Sequence, residues 1–187
     1  MKTVDRVLQQ WRLAKVRPYV SRGARVLDLG CADGVLFQRY QSVVGEVVGI
    51  DPTLPRSVDL GRCRLIAGRF PDDLPDSRPF DAIVMLAVLE HIPSAEQARW
   101  AEACARLLKP GGHVVITVPS PVVDKILAVL KALRLIDGMS LEEHYGFEPS
   151  HVPAMFAVPG VDLVKSRKFQ LGCNNLYVFR RADPILS

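Results

Sequence analysis

Residues 26–34, Val-Leu-Asp-Leu-Gly-Cys-Ala-Asp-Gly, constrain the fold of this chain more than any other stretch. Ala24 to Leu29 is a short apolar run closed by Gly30, the pattern of a strand buried on both faces. Residues 34–41 then read as a helix, with Asp33 as its N-cap. A doubly buried strand needs cover on both sides, and strands alternating with helices supply it in a parallel sheet. The pattern recurs downstream. Glu46 to Ile50 reads as a second strand ending at Asp51-Pro52, residues 63–67 as a short third, and Phe80 to Leu86 as a fourth. A helix over 94–108 and a turn at Lys109-Pro110-Gly111-Gly112 precede a fifth strand, His113 to Val118. Val161–Phe169 and Asn175–Arg180 read as a terminal hairpin joined by Gly172-Cys173-Asn174.

Three segments lie outside that alternation. Val4, Val7, Leu8, Trp11 and Ala14 recur at helical spacing and predict an amphipathic helix over 2–16, ended by Pro18. The stretch 70–79 holds three prolines and reads as a loop. Residues 121–136 are apolar with few charges and predict a helix, followed by a polar loop and a short helix near 149–157.

Composition narrows the class. A chain of 187 residues with 49% hydrophobic and 24% charged residues can bury a single core, so 1–187 reads as one domain with an N-terminal helix at 1–20 and an insert at 121–157. The charged start MKTVDRVLQQWRLAK has no signal core, and no uncharged apolar stretch is long enough to span a bilayer. Cys31, Cys63, Cys104 and Cys173 are scattered without a C-x-x-C pair, which fits reduced thiols in the cytoplasm and gives no zinc site. Net charge is +4, and residues 1–25 carry seven bases against Asp5 alone. Such a segment could meet an anionic lipid, a phosphate or a nucleic acid, but no aromatic stacking pattern accompanies it. A solvated helix face is the plainer reading.

The turn after the first strand suits a ligand. Gly30 lets a ligand approach the backbone, and a helix start offers N–H groups to an anion. Some ~20 residues on, Asp51 ends the second strand, where a carboxylate can accept both hydroxyls of a ribose. The dinucleotide fingerprint G-x-G-x-x-G fails, because Ala32 stands where its second glycine would be, and the phosphate loop G-x-x-x-x-G-K-[ST] is missing too.

Four blocks, V-L-D-L-G-C-A-D-G (26–34), V-V-G-I-D-P (47–52), F-D-A-I-V-M-L-A-V-L-E-H-I-P (80–93) and L-L-K-P-G-G-H-V-V-I-T-V-P (107–119), resemble the class I S-adenosylmethionine-dependent methyltransferases in order and spacing. The resemblance covers about residues 20–120 and implies a doubly wound, Rossmann-like α/β sheet of seven strands with an antiparallel last strand and a short helical cap. It implies that Asp28, Gly30, Cys31 and Gly34 cradle the methionine part of S-adenosylmethionine. Asp51, followed by Pro52, would hold the ribose. The backbone after Gly68, at Arg69 and Phe70, would edge the adenine, and Leu86 would lie by the sulfonium and the methyl acceptor. That family commonly carries an acid at the position of Arg69; arginine has only donors, which leaves the backbone, Asp72 or Asp73 to meet the adenine amino group.

The acceptor is less constrained. Methyl transfer is largely positioning, with a base required when the nucleophile holds a proton. His91 after the fourth strand and His144 after the apolar segment are the candidate bases; His113 reads as structural and His151 as opening a helix. Glu90-His91 resembles the strand-end pair of ubiquinone-biosynthesis O-methyltransferases and the E-x-x-E-H element of small-RNA 2′-O-methyltransferases. There it helps bind a divalent metal; here Ala87 replaces the first Glu, so no metal is expected. The segment 119–150, with His144-Tyr145-Gly146-Phe147-Glu148-Pro149, also resembles the ubiquinone enzymes, in which the insert touches membrane. A cap or core role for 121–136 is the alternative to peripheral membrane contact. The expectation is a cytoplasmic enzyme, monomer or homodimer, with membrane association allowed. It acts on a small-molecule or lipid-linked acceptor, at oxygen, with no nucleic-acid partner. Alternatives are a non-catalytic S-adenosylmethionine-binding subunit and an RNA or protein methyltransferase; a nicotinamide oxidoreductase ranks last.

Overall fold

The computed structural model describes residues 3–32, 34–75, 78–120 and 147–183. The predicted helix 121–136, most of the insert and His144 lie outside the described residues. Strands form where the apolar runs predict them: β1 (Arg25–Leu29), β2 (Glu46–Asp51), β4 (Cys63–Ala67), β5 (Phe80–Leu86), β6 (Leu108–Pro119), β7 (Val161–Phe169) and β8 (Asn174–Arg181). A two-residue strand, β3 (Val58–Asp59), pairs antiparallel with β4 and was not anticipated. The sheet has eight strands in the order β3-β4-β2-β1-β5-β6-β8-β7. β4, β2, β1, β5 and β6 are parallel, and β8 enters antiparallel between β6 and β7.

Helices cover both faces. On one side α1 (Thr3–Val16) and α2 (Val35–Tyr40) bring Leu13, Val16, Leu36 and Tyr40 onto Val26, Val47, Val84, Val115 and Val178. On the other, α3 (Ser94–Leu107) and α4 (Val152–Met155) bring Trp100, Cys104, Leu107 and Val152 onto Leu27, Leu29, Ile83, Met85 and Ile116. Every residue of β1 is buried, as a central strand between two helical layers must be. The crossovers from β2 to β4 and from β4 to β5 contain no helix among the described residues. Their prolines, Pro52, Pro55, Pro71, Pro75 and Pro79, disfavour one.

Two local expectations need correction. The stripe Val7, Trp11 and Ala14 faces outward, with Val7 48% and Trp11 53% exposed, and α1 docks instead through Leu13 and Val16. The Tyr40 hydroxyl donates to the Leu13 carbonyl at 2.6 Å and the Gln170 amide to the Leu8 carbonyl at 3.0 Å, fixing that face. The Lys109-Pro110-Gly111-Gly112 turn is absorbed into β6 as a bulge: β6 advances five residues, Leu108 to His113, while β5 advances two, Phe80 to Ala82.

Ion pairs gather at the opposite end of the sheet from the glycine turn. Glu46 accepts from Arg25 at 2.7 Å and Arg78 at 3.0 Å, and Lys109 donates to Asp81 at 2.8 Å. Among the described residues no helix is long and apolar enough to cross a membrane.

Candidate active site

Because the central strands are parallel, their C-terminal ends open on one rim, where ligands of such sheets bind. β1 ends there in the turn 30–34 and β2 in Asp51. Asp28 lies opposite Gly49 of β2 in the register, two residues before Asp51 on the same face. Burial, and then the neighbouring Asp51 charge, push the Asp28 carboxyl up to about 7.

The turn is shaped by two close approaches. A Cβ at Gly30 would come 2.4 Å from Cγ2 of Val88, and one at Gly49 would come 2.7 Å from Sγ of Cys31. Gly49 therefore makes the space in which the Cys31 side chain lies, against Cys63 and Leu65. Cys31 faces this apolar cluster, so its contribution to the turn is backbone. Burial, then Asp28 and Asp51, push its thiol upward, which keeps it a protonated, unreactive group. Three amides of the turn are engaged within the protein: Gly30 N to Ile50 O at 2.9 Å, Gly34 N to Cys31 O at 2.9 Å, and Ala32 N to Asp51 Oδ2 at 2.9 Å. Ala32 has φ +44°, left-handed backbone that a glycine would adopt without strain. Gly34, with φ +77°, stands at the N-cap of α2; Asp33 lies outside the described residues.

Asp51 is 7% exposed and fully engaged on one oxygen. Its Oδ1 accepts from Thr53 N at 2.8 Å and from Thr53 Oγ1 at 2.6 Å, while Oδ2 holds Ala32. The carboxylate thus ties the end of β2 to the turn after β1. Pro52 beside it is exposed.

Beyond Leu86, the last residue of β5, Ala87 adopts φ +58° and donates its N–H to Thr117 O at 2.8 Å. Leu89–His91 make a short 3₁₀ turn in which Glu90 is buried at 2% and His91 is exposed. Leu86 is half-buried at the edge of the core, on the α1 side. No group of three or more metal-ligating side chains assembles among the described residues.

The proposed adenine edge is self-contained. Arg69 N donates to Asp73 Oδ2 at 2.8 Å, and a Cβ at Gly68 would come 2.5 Å from Cβ of Asp73. Asp72 forms an ion pair with Arg99, which holds its carboxyl below the usual range. The Phe70 ring is core, edge-on to Trp100 at 5.0 Å. Any adenine contact at Phe70 would therefore be through backbone, as the sequence reading has it.

His113 lies midway along β6, its ring 5.3 Å from the Tyr19 ring; burial and then Arg180 hold its pKa down. His151 is exposed at the start of α4. Sequence reasoning overlooked Gly49 and Thr53. The pattern V-V-G-I-D does carry a signal for the first, since a glycine inside a buried strand marks a close approach.

Comparison with known proteins shows the family and the fold. The family described as "Methyltransferase domain" matches residues 2–155. A ubiquinone biosynthesis O-methyltransferase of Xylella fastidiosa is 33% identical over 177 residues, covering 86% of this chain and 71% of that protein. One of Alkalilimnicola ehrlichii is 35% identical over 106 residues, covering 51% of this chain and 41% of that protein, so this match spans under half of the relative's length. Among solved structures, 1,6-didemethyltoxoflavin-N1-methyltransferase of Burkholderia thailandensis superposes with a TM-score of 0.67 at 17% identity, over 93% of this chain and 78% of that one. N-methyltransferase NodS of Bradyrhizobium japonicum gives 0.65 at 16%, over 94% and 97%. These two show a shared fold. With the sheet order, the strand-end acid and the family match together, the chain belongs to the class I S-adenosylmethionine-dependent methyltransferases.

Proposed function

We propose that the protein moves a methyl group from S-adenosylmethionine to an oxygen of a small-molecule or lipid-linked acceptor. The observation that carries this reading is the Asp51 carboxylate, nearly buried and clasped to the turn after β1 at Ala32, with Asp28 beside it. The donor set fits: a carboxylate for a ribose diol, and a second carboxyl, Asp28, whose ionised form a neighbouring ammonium group would favour. Bound there, the donor supplies a methyl group activated by a positively charged sulfur.

The residues then divide the work. Asp51 would orient the ribose, and Asp28 with the backbone of 30–34 would hold the amino-acid end. Leu86 would wall the sulfur side. In-line displacement requires mainly position, and a rigid sheet rim supplies it. An acceptor hydroxyl must also lose its proton, and His91 and His144 are the candidates to take it. Oxygen is favoured by relatives named O-methyltransferase at 33% identity. The apolar segment 121–136 supports a lipid-linked acceptor.

The test is transfer of labelled methyl from S-adenosylmethionine into a cell extract, split into lipid, aqueous small-molecule and macromolecular fractions. Asp51→Ala protein is the blank. Label in the first two fractions at base-stable, ether-like positions is the expected result. Label confined to RNA or protein would overturn the acceptor class, and no label above the blank would favour a binding subunit without catalysis.

A further inference from the structure

We infer that the Thr53 hydroxyl takes a lone pair of Asp51 that a ribose hydroxyl needs, so that Thr53 limits how tightly the protein binds its nucleoside. The inference rests on the ribose reading of Asp51 given above. A carboxylate offers about four lone-pair positions, two on each oxygen. Among the described residues, three donors fill three of these positions. Thr53 N and Thr53 Oγ1 both donate to Oδ1, at 2.8 and 2.6 Å, and Ala32 N donates to Oδ2 at 2.9 Å. Among the described residues nothing else donates to this carboxylate, which leaves one position on Oδ2, whereas a vicinal diol brings two donors.

The three bonds differ in what releasing them requires. Freeing Ala32 N would move the turn after β1, and freeing Thr53 N would move the backbone after β2. Freeing the Thr53 hydroxyl needs only a rotation about χ1 of an exposed side chain. The hydroxyl is therefore the group that yields. Binding trades a charge-assisted bond within the chain for one to the ribose, and that exchange offsets part of the affinity. Thr53 accordingly acts as a positioning residue: it holds Asp51 in place and competes with the ligand for it.

The experiment is calorimetric titration with S-adenosylhomocysteine of wild type, Thr53→Val and Thr53→Ser, with melting of each protein alone. Thr53→Val keeps the branched shape and the backbone N–H but lacks the donor. It should melt lower on its own and yet bind about five-fold tighter, the scale of one hydrogen bond. Thr53→Ser keeps the hydroxyl and should bind as wild type does. A merely structural Thr53 would lower melting and affinity together, so equal or weaker binding by Thr53→Val overturns the inference. If wild type and Thr53→Val both fail to bind, the ribose reading itself falls, and the inference with it.

Discussion

Asp28 offers the sharpest physical test of the site. Burial and the neighbouring Asp51 raise its pKa from 3.8 to about 7. As pH climbs past 4 the unfolded chain releases this proton, while the folded protein retains it until near 7. Across that window the unfolded state binds fewer protons, so stability falls as pH rises and is level again above 7. A shift of about three units corresponds to about 4 kcal/mol at the upper end. Asparagine fills the same volume and has no proton to lose. Asp28→Asn should therefore match wild type near pH 4 and gain progressively, reaching up to about 4 kcal/mol by pH 8. For a domain of this size that is a rise in melting temperature on the order of 10 °C. Parallel thermal melts at constant ionic strength from pH 4 to 8 read the difference, because the carboxylates other than the coupled Asp51 cancel. A constant gap between the two proteins, or a less stable variant at pH 8, would mean that Asp28 does not carry a raised pKa in the folded protein. The same substitution should weaken S-adenosylhomocysteine, since asparagine cannot ionise to pair with an ammonium group.

Three further outcomes follow from the geometry. Gly49→Ala should cost about 1–3 kcal/mol in urea denaturation, because its methyl would take the place of the Cys31 side chain 2.7 Å away. Ala32→Gly should stabilise by about 1 kcal/mol, read as a higher melting temperature, by releasing a left-handed alanine. His91→Ala should slow methylation of a phenolic acceptor by about 10²–10⁴-fold while leaving S-adenosylhomocysteine affinity unchanged by calorimetry.

How far the sequence reached depended on what each residue's role leaves in the pattern. β1, β2 and β5 were legible because strands buried on both faces read as near-continuous apolar runs, and Gly30 and Asp51 mark where two of them end. The helix α1 was legible as a helix, but its docking face was not. Val7, Trp11 and Ala14 form one apolar stripe and Leu13 and Val16 another, and periodicity alone does not say which one meets the sheet. That choice is made by contacts distant in sequence, such as Gln170 with Leu8. The bulge at Lys109–Gly112 read as a turn because both use proline and glycine; only pairing with β5 distinguishes them. Within the site, Asp28 and Asp51 stood out by type and spacing. Thr53 did not, since nothing in Asp-Pro-Thr shows that its hydroxyl folds back 2.6 Å from the carboxylate it follows.

The most direct test of the central claim is calorimetric titration of the wild-type protein and Asp51→Ala with S-adenosylhomocysteine, with NADH as the competing cofactor class. Wild type should show saturable one-to-one binding and no response to NADH, and Asp51→Ala should lose about a hundred-fold or more in affinity, in line with removal of a buried charged partner. Binding that survives Asp51→Ala unchanged in a folded protein, or a wild type that binds NADH and not S-adenosylhomocysteine, would contradict the central claim.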